Sequence, residues 1–239
     1  MAEYIPNQAT LYSLLISKQV CGMGALPVSP SARPPVERNA ARSREAILDS
    51  AERLFAERGY SAASLTDVGL TAGVSRGTPG YFFGSKAELW RAVLERCFAE
   101  ARAAVLAGRD RARASNERAE VILAGVVSDY FDFLAERPNL VRLMERQALG
   151  DGPEYPDVAR AAGQEALAAI VAELGFDDRR SREAAHLLLS MVSLCWFPLV
   201  HARTYLPAIG LDADARDFVK ERKEHVIRLI LHGIADRLK

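Results

Sequence analysis

The stretch Ser64-Leu-Thr-Asp-Val-Gly-Leu-Thr-Ala-Gly-Val-Ser-Arg-Gly-Thr78 decides the fold. Ser64 followed three residues later by Asp67 has the spacing of a capping box, in which each side chain satisfies the other's backbone N–H. Leu65, Val68 and Ala72 then fall on one face of a short helix that Gly73 ends. Ser75 is a good N-cap residue, so a second short helix is expected to open there. A short helix, a tight glycine-containing turn and another short helix make a helix-turn-helix. Such a turn lets the second helix lie in a DNA major groove while the first crosses the backbone. Val74, apolar and just after the turn, is expected to pack beneath both.

Working outward, helical periodicity continues on both sides. Ile47, Leu48, Ala51, Leu54 and Phe55 form one face of a helix starting near Arg42 and stopped by Gly59. Downstream, Ser85-Lys-Ala-Glu88 is another capping box, followed by Leu89, Val93 and Cys97 on one face. Five further helices are expected near 115–136, 138–148, 155–174, 179–204 and 213–237. Pro138, Gly150-Asp-Gly-Pro153, Gly175 and Pro207–Gly210 mark their breaks. Alternating Val/Ile/Thr runs with hairpin turns are missing, so the fold class is all-α. Residues 1–40, with Pro27, Pro30, Pro34 and Pro35, read as a flexible N-terminal extension, and Met23 is an alternative start. Residues 41–84 read as the helix-turn-helix domain and 85–239 as a helical body.

Composition narrows the function classes. The 239 residues carry 31 basic and 31 acidic side chains, which argues against a protein that coats nucleic acid by bulk charge. Charge is unevenly placed, however. Residues 68–87 hold Arg76 and Lys86 without an acid, and residues 33–44 hold Arg33, Arg38, Arg42 and Arg44 against Glu37. Cys21, Cys97 and Cys195 form no CxxC pair, which fits buried thiols in a reducing compartment. No secretory leader or transmembrane run is expected, so the default is a cytoplasmic protein without membrane contact. His186, His201, His225 and His232 give no HExxH, and no GxSxG is present, so neither a metal site, a cofactor nor an enzyme is expected.

The second short helix carries tools for reading DNA. Arg76 can fork onto guanine O6 and N7, and Thr78 offers a hydroxyl and a methyl to base edges. Ser75, Tyr81 and Lys86 can donate to phosphates. Each of these residues taken alone also fits a solvated surface, and Tyr81-Phe-Phe83 also fits a core. The joint pattern of caps, Gly73 and polar residues favours the DNA reading.

Arg44-x-x-Ile47-Leu-Asp-Ser-Ala51-x-x-Leu54-Phe-Ala-Glu-Arg-Gly-Tyr60, Ser64-Leu-Thr-Asp-Val68, Ala72-Gly-Val-Ser-Arg-Gly-Thr78 and Phe83-Gly-Ser-Lys-Ala-Glu-Leu89 together resemble the N-terminal domain of the tetracycline-repressor (TetR) family. The resemblance implies a homodimeric repressor that reads a pseudo-palindromic double-stranded DNA operator and responds to a small-molecule effector. By resemblance, Thr66, Ser75, Arg76, Thr78, Tyr81 and Lys86 match DNA-contacting positions. The chain departs from the family's pattern at Gly69 (usually Ala), Pro79 (usually a core Leu) and Gly80 (usually a phosphate-binding Tyr). The resemblance also makes residues 85–239 an effector-binding and dimerisation domain.

In that body, the segment Ala184–Leu199 is apolar nearly all round and therefore needs partners on every side. The final helix places Phe218, Arg222, His225, Val226, Leu229, Ile230 and Gly233 on one stripe. The resemblance pairs these last two helices with their counterparts in a homodimer; a purely intramolecular core is the other reading. Pro198 should kink the first of them, with Trp196, Phe197, His201 and Tyr205 around the kink. Tyr130, Phe133 and Met144 supply further aromatic or soft surface. Tyr130, Phe133, Met144, Trp196, Phe197 and His201 are thus candidates for an effector pocket, with ordinary core as the alternative. Two other functions compete with the regulator: a small-molecule-binding or scaffold protein with a decayed DNA head, motivated by Pro79 and Gly80, and an enzyme on an all-α scaffold.

Overall fold

A computed structural model describes residues 35–114, 118–177 and 181–234. The expected extension therefore lies almost wholly outside the described residues. The chain divides into units at Met1–Asn39 and Ala40–Lys239. Of the first, only the start of a helix is described.

The described residues form helices and turns without a strand. In chain order the helices are α1 Pro35–Arg58, α2 Leu65–Thr71, α3 Thr78–Phe83, α4 Lys86–Ala114, α5 Ala119–Ala135, α6 Pro138–Ala148, α7 Pro156–Leu174, α8 Ser181–Val200, α9 Tyr205–Ala208 and α10 Phe218–Ile234. Helix α1 begins before the expected Arg42, because Pro35 in a first helical turn loses no hydrogen bond. Gly59 ends it with φ +86 and donates to Phe55 O at 2.9 Å.

Helix α3 differs most from expectation. It starts at Thr78, not Ser75, and its N-cap is Gly77. Pro79 therefore sits within the first two helical positions, where the N–H it lacks has no intrahelical acceptor. The apparent cost of a proline in a recognition helix disappears. At the other end of the chain, α8 stops at Val200, two residues past Pro198, and the expected run to 204 becomes turns leading into α9. Helix α10 opens later than expected, at Phe218.

In the Ala40–Lys239 unit, α1 buries Ile47, Leu48, Ala51, Leu54 and Phe55, as its periodicity predicts. Helix α4 answers with Leu89, Trp90, Val93, Leu94 and Cys97. These residues join Val127, Phe131, Leu134, Leu143, Met191, Cys195, Val226 and Ile230 in one continuous core. Trp90 is fully buried and meets Phe55 and Tyr60 edge-on, at centroid distances of 5.0 and 5.5 Å. Helix α5 lies against α4, α8 and α10.

The stripe that spacing suggests for the final helix is divided between core and solvent. Phe218, Val226 and Ile230 face the core, whereas His225, Leu229 and Gly233 are exposed. Leu189 on α8 is 61% exposed, Phe197 47% and Leu229 48%. The segment Arg182–Val200 is long and apolar enough to cross a membrane by length and composition.

Candidate nucleic-acid interface

Helix α2 is fixed at its start by the capping box read from sequence. Ser64 Oγ accepts from Asp67 N at 3.1 Å, and Asp67 Oδ2 accepts from Ser64 N at 3.2 Å. The Ser64 hydroxyl also donates to Asp67 Oδ2 at 2.6 Å. These bonds hold the Asp67 carboxyl below the usual carboxylate range, Ser64's side chain being the main cause. Ala72 caps the far end, and Gly73 turns the chain with φ +68.

The turn between α2 and α3 is packed through Gly69. A Cβ there would lie 3.1 Å from Ser75 O and 3.4 Å from Arg76 Cα and Pro79 Cδ. The glycine departure at this position thus permits a close approach of helix to turn, and Val74 N donates to Gly69 O at 3.0 Å. Pro79 is buried in the same contact. At Gly80 the nearest atom to an added Cβ is Leu65 Cδ1 at 4.0 Å, so packing does not demand that glycine.

Around this turn stand the residues named from sequence. Thr66 is exposed on α2, and Ser75 and Arg76 are exposed in the turn ahead of α3. Ser75 Oγ and Thr78 Oγ1 are 2.7 Å apart, and Thr78 N donates to Ser75 O at 3.0 Å. These bonds fix the loop that carries Arg76. Tyr81 projects from α3 at 85% exposure, while Phe82 and Phe83 pack against the core. Its ring meets Phe82 edge-on, with centroids 5.5 Å apart, and the rest of it stands in solvent.

Lys86 opens α4, after Ser85 Oγ has accepted from Glu88 N at 3.1 Å. Its Nζ donates to Ser61 O at 3.3 Å and sits 4.3 Å from the Tyr60 ring centroid. The two contacts hold the ammonium in place over the Tyr60 ring. Two residues that the sequence pattern contains without a role of their own give support here: Tyr60 under Lys86, and Arg44, whose guanidinium lies 5.1 Å from the Phe83 ring. Both contacts join residues far apart in sequence, so no local pattern carries them.

Behind this face, Arg96 ties α4 to α1. It reaches Asp49 Oδ1 at 2.6 Å and Glu52 Oε2 at 2.7 Å. Burial lowers its pKa, but the two carboxylates outweigh that and raise it above the ordinary arginine value. A cleft of about 560 Å³ opens beside these groups, lined among others by Asp49, Ser50, Arg53, Thr71, Glu136 and Arg137.

The six effector-pocket candidates lie elsewhere, and none lines this cleft. Tyr130, Phe133, Met144 and Trp196 pack against the core. Burial pushes the Tyr130 phenol pKa up. Trp196 Nε1 donates to Glu145 Oε1 at 2.6 Å. Phe197 instead forms an outer group with His201 and Tyr205, at centroid distances of 4.4 and 5.7 Å. Among the described residues, no group of three or more His, Cys, Asp or Glu side chains could hold a metal ion.

Comparison with known proteins agrees with this geometry. Residues 47–93 match the family described as bacterial regulatory proteins, tetR family. Over 57 residues the chain is 40% identical to the HTH-type transcriptional repressor BepR of Brucella suis biovar 1, covering 24% of this chain and 27% of BepR. It is 23% identical over 200 residues to the HTH-type transcriptional repressor NicS of Pseudomonas putida, covering 81% of this chain and 92% of NicS. The crystal structure of a tetR-family transcriptional regulator from Streptomyces coelicolor shares the fold with a TM-score of 0.62 at 17% identity, covering 82% of each chain.

Proposed function

The head of this chain belongs to the tetR family of bacterial regulatory proteins, and from that premise we propose that the whole chain is an effector-responsive, DNA-binding transcriptional repressor acting as a homodimer. The observation that carries the reading is the α2–turn–α3 unit. Both of its helices are packed from behind, and Thr66, Ser75, Arg76 and Tyr81 are left exposed. On this reading Arg76 and Thr78 meet base edges, while Ser75, Tyr81, Lys86 and Thr66 meet the sugar–phosphate backbone. Operator half-sites follow the two-fold symmetry of the dimer.

The dimer forms through α8 and α10. Leu189, Phe197 and Leu229 are apolar and exposed there, and a self-complementary surface is the ordinary way to bury such a patch. The same burial accounts for the apolarity of α8 in a cytoplasmic protein that carries out no catalysis. The domain division follows, with residues 41–84 reading DNA and 85–239 binding effector and partner. An effector near Tyr130, Phe133, Met144, Trp196, Phe197 or His201 favours the dimer that fits DNA less well, so that binding shifts a population of two states.

Of the two departures that motivate the alternative of a decayed DNA head, the position of Pro79 in the first turn weakens one, and Gly80 still lacks the side chain of a phosphate-binding Tyr. Pro79 breaks no helical hydrogen bond, and Gly80 leaves the helix in place. A gel-shift of the purified full chain on its own upstream DNA at low salt, where phosphate contacts are strongest, tests the proposal. Retardation that resists competitor DNA is the expected result; no retardation under those conditions would overturn it.

A further inference from the structure

Arg146, in the last turn of α6, holds the far end of α1. Its Nε donates to Ala56 O at 3.0 Å and its Nη2 to Glu57 O at 2.9 Å. These carbonyls belong to the final turn of α1, which has no further turn to satisfy them, and a guanidinium there also meets the negative end of the helix dipole. The remaining nitrogen, Nη1, is 3.3 Å from Asp151 Oδ2. Asp151 in turn accepts from Ser61 N at 3.5 Å, on the segment leading into α2. Gly59 makes room for this arrangement, since a Cβ there would lie 2.2 Å from Asp151 Oδ2.

The adjacent residue on α6 faces the other way. Glu145 accepts the 2.6 Å hydrogen bond from the indole of Trp196 on α8. Consecutive helical residues point roughly 100° apart, so one turn of α6 grips α8 with Glu145 and α1 with Arg146. The guanidinium fork can satisfy both α1 carbonyls only while that turn stays in register, and the Trp196 bond ties the same turn to α8.

We propose that Glu145–Arg146 is the joint through which α8 sets the position of the DNA-reading head, with Arg146 as the positioning residue and Trp196 as its anchor. The use of this joint to release DNA rests on the repressor reading above; the mechanical link itself does not.

Hydrogen exchange on the full chain, without DNA or effector, tests the link. Arg146→Ala should speed exchange of amides in residues 57–63 by roughly tenfold or more, as expected for losing charged hydrogen bonds. Arg146→Lys, which keeps the charge but not the fork, should restore only part of the protection. Trp196→Phe, which keeps an aromatic ring but removes the donor, should speed the same amides while those of residues 122–134 stay slow. The double variant should be no faster than Arg146→Ala alone, because both changes act through one joint.

No change at 57–63 in Trp196→Phe would overturn the proposal. So would additive effects in the double variant, or a rise shared equally by 122–134, which marks general loosening. Because DNA is absent from the measurement, failure of the joint and failure of the repressor reading are told apart.

Discussion

The α1–α3 head and the α8–α10 face leave opposite kinds of residue uncovered. On the head, the apolar residues of three helices go mostly into the core, Leu70 on α2 being left 58% exposed, and an arginine, hydroxyls and a tyrosine stand uncovered around one turn. On the other face, Leu189, Phe197 and Leu229 are left in water while polar groups turn inward. Arg222, for example, donates to Leu194 O at 3.2 Å. A finished surface with directed polar groups suits a charged, hydrogen-bonding partner such as DNA. An unfinished apolar one suits a protein surface of its own kind.

Trp90 tests whether the two regions share one core. It is fully buried between α1 and the glycine of the α6–α7 turn, with Gly152 so close that a Cβ would be 3.0 Å from the indole. Trp90→Ala should cost about 3–5 kcal/mol, read as a lower urea midpoint in a single transition. Two separated transitions would break the idea of a shared core.

On the head, Arg76→Ala should cost about 1–3 kcal/mol of binding at one operator position, whereas Lys86→Ala should weaken all sequences alike. Equal losses for both variants across base-substituted operators would remove Arg76 as a base reader. On the opposite face, Leu189→Glu should weaken self-association about tenfold or more, or roughly 1.4 kcal/mol, in sedimentation equilibrium with helical content unchanged. Unaltered association would send the interface elsewhere.

Capping gives a smaller effect with a defined pH window. Ser64→Ala should cost about 0.5–2 kcal/mol. Because the native Asp67 carboxyl is held below its ordinary value, its contribution is present above about pH 4 and is lost as pH falls through the lowered native value. Asp67→Asn should abolish that acid step in the stability profile. The smallest expected signal is a thiol reaction that barely proceeds. Burial pushes the Cys97 and Cys195 thiols up to about 12, so in a Cys21→Ser chain at pH 8 a thiol reagent should label them only after unfolding.

The head was far more legible in sequence than the body, and the reason is range. Ser64 caps a helix three residues away, Gly73 turns the chain where it stands, and Ile47 to Phe55 state their period within two turns. Helix α3 starts one turn later than Ser75 as an N-cap predicts. In the fold its hydroxyl instead meets Thr78 Oγ1, and Gly77 takes the cap position. In the body, apolar residues are so dense on α8 that periodicity could not say which side faces the core. The exposed position of Phe197 beside the packed Trp196 followed only from packing.

Sequence by itself determined the all-α class, the bihelical motif and the polar residues around its turn, because caps, turns and helical periods act within a few residues. Tertiary structure alone decided how those parts are held: Lys86 on Tyr60, Arg44 on Phe83, Arg96 on Asp49 and Glu52, and Arg146 on the end of α1. Each of these contacts joins a long, flexible side chain to a partner distant in the chain. Its geometry exists only once the helices have packed.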